Sequence, residues 1–157
     1  MRPIRPEDTA LEQRFFDRLS ERSRFQRFMQ HLPELPPQML ERFTHLDYEK
    51  ELALVALDPS SGEFIAVARY APRPEVGTAG KTAEFALTVA DEWQRKGLGR
   101  ALLERLCELA RDAGYEALYG YVFVDNHEML ELAEQLGFRI VGRDLNELTL
   151  VRPLGNR

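Results

Sequence analysis

Cysteine is almost missing from this 157-residue sequence. Cys107 stands alone, which excludes an intrachain disulfide and fits a reducing compartment. Basic residues are outnumbered, 21 Lys and Arg against 26 Asp and Glu, so the formal charge is −5 and the broad cationic footprint of a nucleic-acid binder is lacking. An acidic balance suits a cationic substrate or protein surface better. No apolar run approaches the ~20 residues that cross a bilayer. The N-terminus carries Arg2, Arg5, Glu7 and Asp8 where a secretory signal needs an apolar core. The expectation is a cytoplasmic protein with neither a membrane nor a nucleic-acid partner. His31, His45 and His127 show no metal-ligand spacing with one another or with Cys107, so no metal is expected. Internal repeats and low-complexity tracts are also lacking. At 44% hydrophobic and 30% charged residues, the composition is globular, and residues 1–157 read as one domain able to bury its own core.

What is present reads as strands first, then alternation. Residues 1–4 suit a short first strand stopped by Pro6, and Glu7 and Asp8 suit a helix start, with Leu11, Phe15, Phe16 and Leu19 as its apolar stripe. Arg14, Arg18 and Arg22 recur every four residues as a solvated face. Residues 20–29 read as an Arg- and Phe-rich connection with Phe25 and Phe28 packing inward, and 38–44 as a further helix start after Pro33, Pro36 and Pro37. Strands are expected over 51–57 and 64–70 around an Asp58–Gly62 turn, and over 82–89 after a loop at 73–80. Leu98, Leu102, Leu106, Leu109 and Ala113 space as one helical face closed by Gly114. A strand over 117–124 follows, then a helix capped by Asp125 or Asn126, with Met129, Leu132, Ala133 and Leu136 inward and Gly137 as its stop. Residues 139–144 and 148–152 form a closing hairpin. The sum is a mixed sheet with helices on its faces.

One stretch organises the chain. Gln94-Arg95-Lys96-Gly97-Leu98-Gly99 lies between an apolar strand and an amphipathic helix. A helix start leaves up to four backbone N–H groups unpaired and carries partial positive charge. Glycines at 97 and 99 let an anion approach the main chain, so this turn is built to hold phosphate. The third glycine of a dinucleotide fingerprint and the Gly-Lys-Ser/Thr of a P-loop are both lacking.

The remaining pattern, Gln-x-x-Gly-x-Gly, resembles the acyl-CoA pyrophosphate loop of the GNAT N-acetyltransferase superfamily, and the order of elements matches that family over nearly the whole chain. The resemblance implies a mixed, mostly antiparallel α/β (α+β) sheet whose two central parallel strands splay apart, with helices on both faces. It implies acetyl-CoA as acyl donor, with Leu87, Thr88 and Val89 offering main-chain contacts to the pantetheine arm. Gln94, Arg95, Lys96, Gly97, Leu98, Gly99 and Arg100 would cradle the pyrophosphate, and Asn126 would contact the cofactor's arm while also being a good N-cap. Backbone N–H near Val89 is the candidate to stabilise the thioester oxyanion.

Acyl transfer to an amine needs a proton removed, because an ammonium has no lone pair. Strand alternation sets Glu84, Ala86 and Thr88 on one face against Phe85, Leu87 and Val89. On the residues alone, Glu84 reads as a solvent-facing or ion-paired strand glutamate; the resemblance makes it the general base, and burial would raise its pKa. Many relatives carry a tyrosine acid in the penultimate helix, where this chain has Ala133. Arg2-Pro3-Ile4-Arg5-Pro6-Glu7-Asp8, Ser20-x-x-Ser23 leading to Arg27-Phe28, Thr44-His45-Leu46-Asp47-Tyr48, Ala83-Glu84-Phe85-Ala86 and Asn126-x-x-Met129 resemble bacterial Pat-type protein-lysine acetyltransferases. A protein-lysine acceptor, such as one on an acyl-CoA synthetase, is what that implies. A small-amine acetyltransferase and a non-catalytic acyl-CoA sensor are the alternatives. Residues 14–27 and the 73–81 loop are expected to flank the acceptor site, Trp93 to brace the glycine turn, and Cys107 to be a buried thiol.

Overall fold

The computed structural model describes residues 1–73 and 81–155. Seven strands form one sheet in the order β1-β2-β3-β4-β5-β7-β6. They are β1 (Arg2–Pro3), β2 (Leu52–Leu57), β3 (Phe64–Pro72), β4 (Thr82–Val89), β5 (Ala117–Phe123), β6 (Arg139–Asp144) and β7 (Glu147–Pro153). Every neighbouring pair is antiparallel except β4 and β5. The closing hairpin forms as expected, but its second strand, β7, inserts beside β5 and leaves β6 at the edge. Among the described residues there are five α-helices: α1 (Thr9–Arg18), α2 (Glu21–Phe28), α3 (Pro37–Thr44), α4 (Leu98–Asp112) and α5 (His127–Gln135).

The two faces of the sheet bury separate cores. On one, Leu102, Leu103, Leu106 and Cys107 of α4 and Ala133 and Leu136 near α5 pack against Leu54, Ala68, Phe85, Leu87 and Leu118. On the other, Phe15 and Leu19 from the α1 region close over Ala53, Val55 and Val67. β2 and β3 alternate between them, Leu54 and Ala68 facing one and Val55 and Val67 the other, as their period of two requires. The inner face of α4 is centred on Leu102, Leu106 and Ala110, while Ala113 is exposed and Leu109 only partly buried; the sheet contacts the helix about one residue off the expected stripe. Gly114 and Gly137 adopt φ +96° and +90° and end α4 and α5 as left-handed stops.

Residues 20–29, expected as a connection, contain α2. Ser20 Oγ caps it by accepting from Ser23 N at 3.1 Å, and Met29 ends it at φ +58°. The Arg-rich pattern hid the helix because its arginines pack by their guanidinium planes: Arg24 lies 4.5 Å from the Phe16 ring centre and Arg27 4.6 Å from that of Phe28. Phe25 and Phe28 are only partly buried, with Phe25 stacked on Phe123 at 5.3 Å. Of the surface arginines, Arg14 and Arg18 both pair with Glu63. Most of the loop expected over 73–80 lies outside the described residues. Among the described residues, no helix is long and apolar enough to cross a membrane.

Candidate active site

β4 and β5 share only three parallel pairs, ending at Glu84↔Tyr119. Past that point β4 stays bonded to β3 as far as Val89, and β5 to β7 as far as Phe123. The two strands therefore part inside the sheet. Half of the backbone groups over residues 86–89 point away from β3 and meet no strand. Phe85 sits at the fork: a Cβ on Gly120 would lie 2.2 Å from its ring, so only glycine leaves room for that ring, which packs on Phe138 at 5.1 Å. The fork opens into a groove of about 920 Å³.

At the far end of β4, a 3₁₀ turn (Asp91–Trp93) leads to the mouth of α4. Arg95 and Gly97 take left-handed backbone, φ +62° and +84°, the alternation that builds main-chain anion nests. Ala101 N donates to Gly97 O at 3.1 Å, whereas the amides of Leu98, Gly99 and Arg100 find no acceptor among the described residues. Gly99 brings this mouth onto β4, since a Cβ there would sit 3.4 Å from both Leu87 and Val89. Gln94 Nε2 donates to Val89 O at 3.0 Å, and the Asp91 carboxylate accepts from Ser20 N, Ser20 Oγ and Ser23 Oγ. The turn is thus tied both to β4 and to α2. Trp93 packs against both cores.

The structure brings most of the sequence-derived set to this groove. Leu87, Thr88, Val89, Gln94, Arg95, Gly97, Gly99, Arg100 and Asn126 line it, together with Glu84. Two side chains turn elsewhere: Lys96 Nζ lies 5.5 Å from the Trp93 ring centre, and Leu98 packs against the core. Arg95 pairs with Glu128 at 2.7 Å across the rim. Asn126 rather than Asp125 caps α5, its Oδ1 accepting from Met129 N at 3.3 Å.

Glu84, Ala86 and Thr88 share a face, as alternation required, and Glu84 is exposed. That is the solvent-facing position the residues alone suggest, and the groove opens on that side. Continuing the parallel register from Glu84↔Tyr119 sets Tyr121 across the fork from Ala86. Tyr121 lines the groove and its hydroxyl accepts from Arg73 Nη2 at 2.9 Å, while Arg73 stacks 3.6 Å from the Tyr119 ring centre. Ala133, at the family's tyrosine place, is buried in the core. Arg27, at the end of the stretch expected to flank the acceptor site, does line the groove; Tyr121 and Asp91 went unread in the sequence, since each acquires its place only through a partner far along the chain.

A fork in a mixed sheet, with free amides at a helix mouth and a carboxylate beside the gap, defines an acyl-CoA-dependent acyltransferase. Residues 14–138 match the acetyltransferase (GNAT) family, and the chain belongs to it: it is a GNAT N-acetyltransferase that uses acetyl-CoA. It is 35% identical over 153 residues to the acetyltransferase PA5475 of Pseudomonas aeruginosa, covering 96% of this chain and 80% of that protein. It is 28% identical over 145 residues to the acetyltransferase Pat of Mycolicibacterium smegmatis, covering 92% of this chain but only 42% of Pat. The crystal structure of the GNAT domain of S. lividans PAT superposes with a TM-score of 0.89 at 30% identity, over 97% of this chain and 88% of that one. A fold match, TM-score 0.80 at 21% identity over 99% and 94% of the chains, is the Salmonella typhimurium acetyltransferase yncA with its cofactor acetyl-CoA.

Proposed function

We propose that this chain moves an acetyl group from acetyl-CoA to the side-chain amine of a protein lysine, by direct attack with Glu84 as general base. The observation that carries the reading is the fork itself. One continuous groove joins the unpaired amides of residues 98–100, the open edge of β4 and the Glu84 carboxylate. Acetyl-CoA supplies an activated acetyl thioester. The amides at the α4 mouth and the Arg95–Gly97 bend hold its diphosphate, the main chain at Leu87, Thr88 and Val89 aligns its arm, and Asn126 contacts it. An N–H near Val89 faces the acyl oxygen. Glu84 takes the proton from the acceptor ammonium, directly or through water. With alanine at position 133, Tyr121 gives the departing sulfur its proton, the Arg73 donor holding the phenolate that forms. The lysine acceptor is supported by the resemblance to Pat-type enzymes and the 30% identity to the PAT domain.

Two measurements test this. Thiol release with purified acyl-CoA synthetase, spermidine or no acceptor should show turnover only with the lysine protein, and mass spectrometry should find acetyl-lysine. Turnover confined to spermidine would replace the acceptor. Acetyl-CoA binding without any acceptor-dependent turnover would make the chain a sensor.

A further inference from the structure

We infer that Arg27 is a carboxylate-recognition site in the acceptor half of the groove, so that the acceptor carries an acidic group beside its amine. This rests on the acyl-transfer reading above and names the kind of amine it takes. Arg27, on α2, lines the groove together with Glu84. Its guanidinium lies 4.6 Å from the Phe28 ring centre and 5.6 Å from that of Phe43. Stacking of this kind holds the plane of the fork and leaves its N–H edges for another partner. Among the described residues those donors make no hydrogen bond and no ion pair. The neighbouring arginine is different: Arg69 pairs with Glu12 at 3.6 Å and donates to Phe43 O at 3.3 Å. One of the two cations is matched and the other is not.

Burial, and then the charge of Arg69, pull Arg27 down to about 10, with Glu12 and Glu84 opposing; the side chain stays cationic at neutral pH. Glu84 is the acid that faces it from the sheet. In the reacting complex, however, Glu84 is engaged by the incoming ammonium. Two positive charges, Arg27 and the ammonium, then share one carboxylate in a partly desolvated groove, where an unmatched charge is costly. A carboxylate on the acceptor removes the excess and fits the planar guanidinium through two parallel hydrogen bonds. The same chemistry has two sources: an acidic side chain next to the target lysine, or the α-carboxylate of a free amino acid.

The test uses matched pairs. One is a lysine peptide with Glu or Gln beside the lysine; the other is a free amino acid and its carboxamide. Binding to the CoA-loaded protein is read by calorimetry, and turnover by thiol release. The wild type should favour the carboxylate member of at least one pair by about tenfold or more, and the pair that responds identifies the source. Arg27→Gln should level the two members, Arg27→Lys should restore part of the preference, and both variants should stay folded at the assay temperature with acetyl-CoA affinity near wild type. Equal binding within both pairs, or a preference that survives Arg27→Gln, would overturn the assignment. A binding preference that vanishes in Arg27→Gln, with no turnover by any variant, would uphold Arg27 and overturn acyl transfer instead.

Discussion

In the proposed mechanism Glu84, which lines the groove, takes the proton from the acceptor amine. Replacing it with glutamine keeps the shape and removes the base. We expect kcat/KM to fall by about 10²–10⁴, with acetyl-CoA affinity by calorimetry within about twofold of wild type; unchanged kcat would remove Glu84 from the chemistry. Tyr121→Phe deletes only a hydroxyl. A thiolate leaves more readily than an amine, so the expected loss in kcat is near the lower end of that range, about 10²-fold or less, and the alkaline limb of the kcat profile should disappear. A kcat profile that keeps its shape would exclude Tyr121 as the acid. At Gly97 the constraint is backbone: φ is +84° and nothing lies within 4 Å of a Cβ built there. Gly97→Ala therefore costs strain rather than space, about 1–3 kcal/mol, and should weaken acetyl-CoA binding more than it alters the helix.

Between elements, the decisive joint is the fork. Gly120→Ala would drive a methyl into the Phe85 ring; the ring is wedged against Phe138 and the core must shift to admit it. Overpacking of this kind costs about 1–3 kcal/mol, and a thermal melt should show the loss. A melt equal to wild type would mean the strands part for another reason. A second joint ties β1 to the helical N-terminal region. Arg2 donates to both oxygens of Asp8 at 2.6 and 2.9 Å, and Arg5 N adds a third bond at 2.8 Å. The Arg2 hydrogen bonds and that backbone donor, against the opposing cost of burial, hold the Asp8 carboxyl below its ordinary 3.8. A carboxyl lowered in the folded state stabilises above its unfolded value and loses that contribution as pH falls through the folded one. Asp8→Asn should accordingly destabilise by about 1–3 kcal/mol at neutral pH, the gap to wild type closing as the solution is acidified below pH ~4. A gap independent of pH would mean that packing, not charge, is lost.

For the molecule as a whole, the proposed binding mode makes acetyl-CoA a clamp, because it would bridge the open edge of β4, Asn126 and the mouth of α4. At about 100 times its Kd, a ligand that binds only the folded chain adds ~2.7 kcal/mol, a rise in Tm of roughly 5–10 °C at this chain length; no shift with saturating acetyl-CoA would deny it this groove. Much of this architecture is readable from local chemistry. The alternation of Glu84, Ala86 and Thr88 with Phe85 and Leu87, the glycine stops at 114 and 137 and the cap at Asn126 are short-range signals, and each sits in the structure as its residues dictate. Other features lie beyond any window of sequence. A run of arginines and phenylalanines becomes α2 only when there are rings and a sheet for it to lie on. The terminal strand chooses β5 over the sheet edge by burying Leu148, Leu150 and Val151. The same long-range assembly leaves Glu84 exposed, carries Tyr121 across from Ala86 and, among the described residues, sets Arg27 in the groove without an ion pair. Period and turn chemistry act over a few residues and so are written along the chain. Which strands part, and which charges face each other across the gap, depends on contacts tens of residues apart, and only packing decides them.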